Sequence, residues 1–158
     1  MKSATVKEIK TELSYRSHDE ILTLCLQLSK FKKENKELLT YLLFESDNEA
    51  KFIENIKQEI DEQFELINTK TYYFIKKSVR KILRNIKKYI RYSKNTETEI
   101  SLLLYFCKKL IEFSPSIKNN TVLLNIYKRE LTSIKKKVTT LHNDLQYDFN
   151  LQIVAIDL

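Results

Sequence analysis

KTYYFIKKSVRKILRNIKKYIRYSK, residues 70–94, decides how the rest of the chain is read. It holds ten basic residues and no Asp or Glu. Placed on a helix at about 100° per residue, Ile75, Val79, Ile82, Leu83, Ile86 and Ile90 share one narrow stripe. Lys76, Lys77, Arg80, Lys81, Arg84, Lys87, Lys88 and Arg91 take the opposite side. The pattern predicts an amphipathic helix that anchors its isoleucines in a core and turns a cationic back to water.

The segment just before it inverts the charge. Residues 45–65 carry Glu45, Asp47, Glu49, Glu54, Glu59, Asp61, Glu62 and Glu65 against two lysines, Lys51 and Lys57. Their apolar partners Phe52, Ile53, Ile56, Ile60, Phe64 and Ile67 recur at helical spacing. Only Asn68-Thr69-Lys70-Thr71 separates this acidic stripe from the basic one, so an antiparallel hairpin is expected. After the basic stretch, Thr96-Glu97-Thr98-Glu99 reads as a capping box. The helix it opens runs through Ile100, Leu103, Leu104, Cys107, Leu110 and Ile111 and stops before Pro115. Farther out, Leu124, Tyr127, Leu131, Ile134, Val138, Leu141 and Leu145 are spaced alternately three and four, which predicts one long helix over about 119–147. The tail, 148–158, fits either a short extended arm or a continuing helix.

Toward the N-terminus, residues 3–14 read as a short helix, and Ser17-His18-Asp19-Glu20 as a capping box opening a second through Ile21, Leu24, Cys25, Leu28 and Phe31. Asn35 is expected to cap a third over 38–44, apolar nearly all round and so central. Asp19-Glu20-Ile21-Leu22-Thr23-Leu24 echoes Thr98-Glu99-Ile100-Ser101-Leu102-Leu103 at an offset of 79, about twice the unit of HEAT and armadillo arrays. The expected architecture is a single all-α domain over 1–158, six or seven helices packed as antiparallel hairpins, with a HEAT-like superhelix or an irregular bundle.

Composition narrows the chemistry. The chain has no glycine and one proline, which argues against strand-rich folds and their tight turns. Without glycine there is no Walker loop, dinucleotide fingerprint or nucleophile elbow. Net charge is +7, yet residues outside 70–94 hold 18 basic against 21 acidic side chains. One element makes the chain basic, and such a stripe points to an acidic partner. Cys25 and Cys107 match no metal or redox spacing and are expected to be small buried hydrophobes. His18 and His142 sit at helix ends with no nucleophile beside them, and no Glu-x-x-His pair occurs. No catalytic residue, metal ligand or cofactor is therefore expected. No apolar run is long enough to span a bilayer, and a cytoplasmic location is expected.

At 34–45 (ENKELLTYLLFE) and again at 76–84 (KKSVRKILR) the chain resembles a family of small all-helical bacterial proteins, over about residues 15–110. The resemblance implies a single-domain, cytoplasmic, non-enzymatic protein and no particular activity.

The residues themselves yield two functional expectations. First, Lys76, Lys77, Arg80, Lys81, Arg84, Lys87, Lys88 and Arg91 contact an acidic protein surface, as a helical adaptor does. Second, the same face binds nucleic-acid backbone without sequence preference, with Tyr72, Tyr73, Phe74, Tyr89 and Tyr92 near the helix ends as stacking candidates. The acidic neighbour favours the first by repelling phosphate. A dimer through the C-terminal helix is not favoured, because Lys128, Lys135 and Lys137 make its flanking charges one-sided.

Overall fold

The structure, a computed structural model, describes residues 1–157. It is all-helical, with eight α-helices and no strand among the described residues. The chain divides into two compact units, residues 1–44 and the remainder from Glu45.

The first unit contains α1 (Val6–Ser14), α2 (His18–Phe31) and α3 (Lys33–Thr40), the last running into a π-helical turn, Tyr41–Glu45. Both early helices open on a reciprocal capping box. Thr5 Oγ1 accepts from the Glu8 amide at 3.3 Å while Glu8 accepts from the Thr5 amide at 2.7 Å. Ser17 and Glu20 repeat the arrangement at 3.3 and 2.8 Å. Asn35 does not cap α3, as its position suggested. Its amide donates to the Leu28 carbonyl at 2.8 Å and ties α3 to the last turn of α2. Nor is 38–44 central: Leu38 and Leu39 are half-buried, Leu42, Leu43 and Phe44 are exposed, and Tyr41 is the one buried side chain in the unit. Cys25, expected inside, is exposed.

The second unit holds α4 (Glu49–Glu65), α5 (Tyr72–Ser93), α6 (Thr96–Ile111), a 3₁₀ turn (Ile117–Asn119), α7 (Thr121–Val138) and α8 (Asn143–Ile156). α6 occupies the centre and packs against α4, α5, α7 and α8. Ile100, Leu102, Phe106, Cys107 and Leu110 have no exposed surface, and Phe64 of α4 stacks between Phe106 and Phe113 at 6.0 and 5.9 Å. α5 buries Ile75, Val79, Ile82, Leu83 and Ile86, the stripe expected of it, while Ile90 is half-buried.

Eight helices replace the expected six or seven because the long C-terminal one breaks. Thr139 and Thr140 turn their hydroxyls back onto the carbonyls of Lys136 and Lys137 at 2.8 and 2.7 Å, a local bond that competes with the helical ladder. The tail after the break is α8, helical to Ile156. The heptad positions Tyr127, Leu131, Ile134 and Val138 are buried within the unit, and the Tyr127 hydroxyl donates to the Ile156 carbonyl. α6 starts one residue earlier than its capping box implied. Asn95 Oδ1 accepts from the amides of Glu97 and Thr98 at 2.8 and 3.3 Å.

Candidate anion-binding groove

Two helices build the site. With the α5 stripe held in the core, the cationic side chains fall on its outer arc, and their fates differ by angle. Arg80, Arg84, Lys87 and Arg91 line an open groove of about 630 Å³ shared with Val122, Asn125, Ile126 and Arg129 of α7. Leu83, which is buried, completes the lining. Lys76, Lys77, Lys81 and Lys88 are not part of this lining. Of the eight residues singled out by the wheel, Arg80, Arg84, Lys87 and Arg91 thus line the groove and the other four do not. Arg80, Lys81, Arg84, Arg91 and Lys77 are exposed, and Lys76, Lys87 and Lys88 half-buried.

Arg129 was missed in sequence. It sits on α7, outside the heptad positions, where nothing local marks it. The available signal was composition: the chain has only five arginines, and four of them (Arg80, Arg84, Arg91, Arg129) line this one groove. Arg presents a planar fork that pairs two-pronged with carboxylate or phosphate, which the ammonium of Lys cannot do.

One carboxylate lies within the cationic set. Glu130 is 2% exposed and holds Lys87 Nζ at 2.9 Å and the Arg129 guanidinium at 2.9 Å. A charge this buried persists only when it is paired and hydrogen-bonded. Here it fixes two groove cations and cancels only one. Close by, burial first and Glu130 second push the Cys107 thiol up to about 12, which makes it an inert core residue.

The acidic helix does not neutralise the groove. Lys76, Lys77, Arg80, Lys81, Arg84 and Arg91 form no ion pair among the described residues. Several α4 carboxylates serve hydroxyls and a lysine of the unit's other helices. Glu59 accepts from the Tyr89 hydroxyl at 2.9 Å. Glu49 accepts from Thr98 Oγ1 at 2.6 Å and from the Ser93 hydroxyl. Asp61 accepts from the Tyr105 hydroxyl at 2.7 Å and meets Lys109 Nζ at 3.0 Å. Burial alone would raise the Asp61 pKa; the Tyr105 and Lys109 contacts outweigh it and hold the carboxyl below its ordinary value. The same packing and the Asp61 charge push Tyr105 up to about 12.

The aromatic candidates disperse. Tyr72 donates to the Ser116 carbonyl at 3.1 Å, and Tyr89 is engaged by Glu59. Tyr73 and Phe74 are exposed, edge to face at 5.4 Å. No aromatic side chain lines the groove itself. His18 and His142 are both exposed. Among the described residues no cluster of three or more His, Cys, Asp or Glu could hold a metal ion, and no helix is long and apolar enough to cross a membrane.

No protein-family model matches the chain, no curated protein matches it, and no solved structure matches it. The site has to be read from its own geometry.

Proposed function

We propose that this is a non-enzymatic helical binding module whose basic α5 face, centred on the α5–α7 groove, docks an acidic protein surface. One observation carries the reading: four of five arginines ring a groove whose floor is apolar (Leu83, Val122, Ile126) and which contains no aromatic ring. An apolar floor takes the anchor side chains of a partner helix or strand, and an arginine rim takes its carboxylates. We read α4–α7 as successive antiparallel hairpins of HEAT-like or bundle character, with α5 and α7 both packed on α6 and meeting across the groove.

A second reading, binding of RNA or duplex backbone without sequence preference, is favoured by the same arginine forks, which suit phosphate equally well. Lys77 and Lys81 extend the positive surface past the groove and would follow a phosphate track.

A pull-down from the native cell, with and without nuclease, separates the two. An acidic protein that is retained in both arms, and lost with Arg80→Glu/Arg84→Glu, is the expected result. Retention that nuclease removes establishes the second reading. Its partner measurement is direct binding of mixed duplex RNA and DNA at about 50 and 200 mM salt, where backbone affinity falls steeply. Nothing retained in either arm, with no duplex binding at the lower salt, overturns both.

A further inference from the structure

We propose that α2 is a self-association helix, pairing antiparallel across a two-fold axis with α2 of a second copy of this chain. Ile21, Leu22, Leu24, Leu26, Leu28 and Phe31 are between 37% and 78% exposed. On a helical wheel they spread over more than half the circumference, and a helix so apolar is a buried helix. So many exposed apolar side chains on one helix exceed the scattered single ones of an ordinary monomer surface. A unit this short with a single buried side chain, Tyr41, does not have the interior to hold itself together.

The charge order names the occupant. α2 carries Asp19 and Glu20 in its first turn, Glu20 already paired with Arg16 at 3.2 Å, and Lys30 in its last, with Lys32 and Lys33 directly after. Two copies laid antiparallel bring the acidic end of each against the basic end of the other, and their helix dipoles oppose favourably. A parallel pair would set like charge on like. This self-complementarity is what an isologous interface requires, and a foreign partner has no reason to share it. The faces agree. Asp19, Glu20, Thr23, Leu24 and Gln27 border the groove toward α1, Asp19 at the edge nearest Leu22 and Leu26 on the helical wheel, while Cys25, Leu28 and Ser29 border the one toward α3. Leu22 and Leu26 border neither groove and are 51% and 47% exposed, and theirs is the sector proposed to meet the second chain. Matching acidic to basic ends puts the two-fold near Cys25 and Leu26.

That register supplies its own probe, because exposed Cys25 would lie beside its symmetry mate while Cys107 is buried. Sedimentation equilibrium over about 1–100 μM, the range of ordinary protein dimers, is expected to show a dimer. A bismaleimide should link the two copies through Cys25. Leu22→Glu/Leu26→Glu should give a monomer, its second unit still folded, that no longer cross-links. Asp19→Lys should weaken the dimer by about tenfold, and Lys30→Glu added to it should restore most of the loss. Such a rescue is something general destabilisation cannot produce. A monomer throughout that range overturns the proposal, whether its residues 18–31 are protected from hydrogen exchange or not. So does a dimer indifferent to Leu22→Glu/Leu26→Glu, or an Asp19→Lys loss that Lys30→Glu deepens.

Discussion

α2 and α6 open on nearly the same six residues and meet opposite fates. In α6, Ile100, Leu102 and Leu103 are at most 1% exposed; in α2, Ile21, Leu22 and Leu24 are 37%, 51% and 39% exposed. Both starts are well capped, by Asn95 and by Ser17 with Glu20, so local sequence makes a helix in each case. What differs is the company. α6 has four helices around it, whereas α2 has α3 as its main neighbour within its unit. Helix formation is written locally, and burial is decided by what the neighbours cover. The contrast extends to the units as wholes. The second buries even a carboxylate, Glu130, while the first leaves leucines in water.

The most direct way to break the comparison is to make one substitution in both helices. Leu103→Ala removes a side chain 1% exposed and should cost about 2–5 kcal/mol through lost burial and the cavity left behind. Leu22→Ala, measured by denaturant unfolding at a concentration too low for association, should stay within about 0.5 kcal/mol. Equal losses in dilute solution would mean that the side chains of α2 are already covered within one molecule. A Leu22→Ala cost that appears only as concentration rises would tie it to the second copy.

Much of the fold was legible because helix periodicity is local. The α5 stripe, the short link before it, the Ser17 box and the buried heptad residues of α7 each follow from spacing within a dozen residues. The errors share a physical cause. Residues 38–44 and Cys25 were assigned to the interior from apolarity alone, yet apolarity states what a side chain prefers and not whether anything arrives to cover it. The α7–α8 break hides in Thr139 and Thr140, whose back-bonding hydroxyls offset a heptad pattern that continues on paper through Leu141 and Leu145. At the site, the wheel could place eight cations on an arc of α5. It could not divide the arc into groove and flank, since that division is made by α7. Arg129 and Glu130 enter from more than 35 residues away, and only packing brings them to Lys87.

Glu130 sharpens the contrast at the level of charge. Glu130→Gln keeps the shape and can still accept a hydrogen bond, but it leaves Lys87 and Arg129 without a carboxylate. Those two side chains are 45% and 65% exposed and can resolvate, so the loss should be about 1–3 kcal/mol and not the larger cost of stranding a buried charge. The binding consequence has the opposite sign. Removing the one acid among the groove's cations should tighten an anionic partner severalfold even as unfolding becomes easier. Stability and affinity moving down together would show that Glu130 organises the groove more than it neutralises it.

A smaller effect than that of Leu103→Ala, and of the opposite sign, lies at the α5–α6 junction. Lys94 caps α5 with φ 56° and ψ 16°, the left-handed region, and donates its amide to the Ile90 carbonyl at 2.9 Å. Glycine usually takes this position at a helix end, but this chain has none. A side chain there costs about 1–2 kcal/mol against the following carbonyl, while glycine returns about 0.5–1 kcal/mol of unfolded-state entropy. Lys94→Gly should therefore stabilise by about 0.5–1 kcal/mol, a rise in Tm of roughly 1–4 °C for a chain of this size. Lys94→Asn, which tolerates the left-handed region better than lysine, should fall between. Lys94→Val should destabilise, because a β-branched side chain is worst placed at positive φ. The order Gly, Asn, Lys, Val would confirm that backbone geometry, and not the lysine charge, sets the stability of the α5 C-cap. A loss common to all three variants would make the ammonium the stabilising group instead.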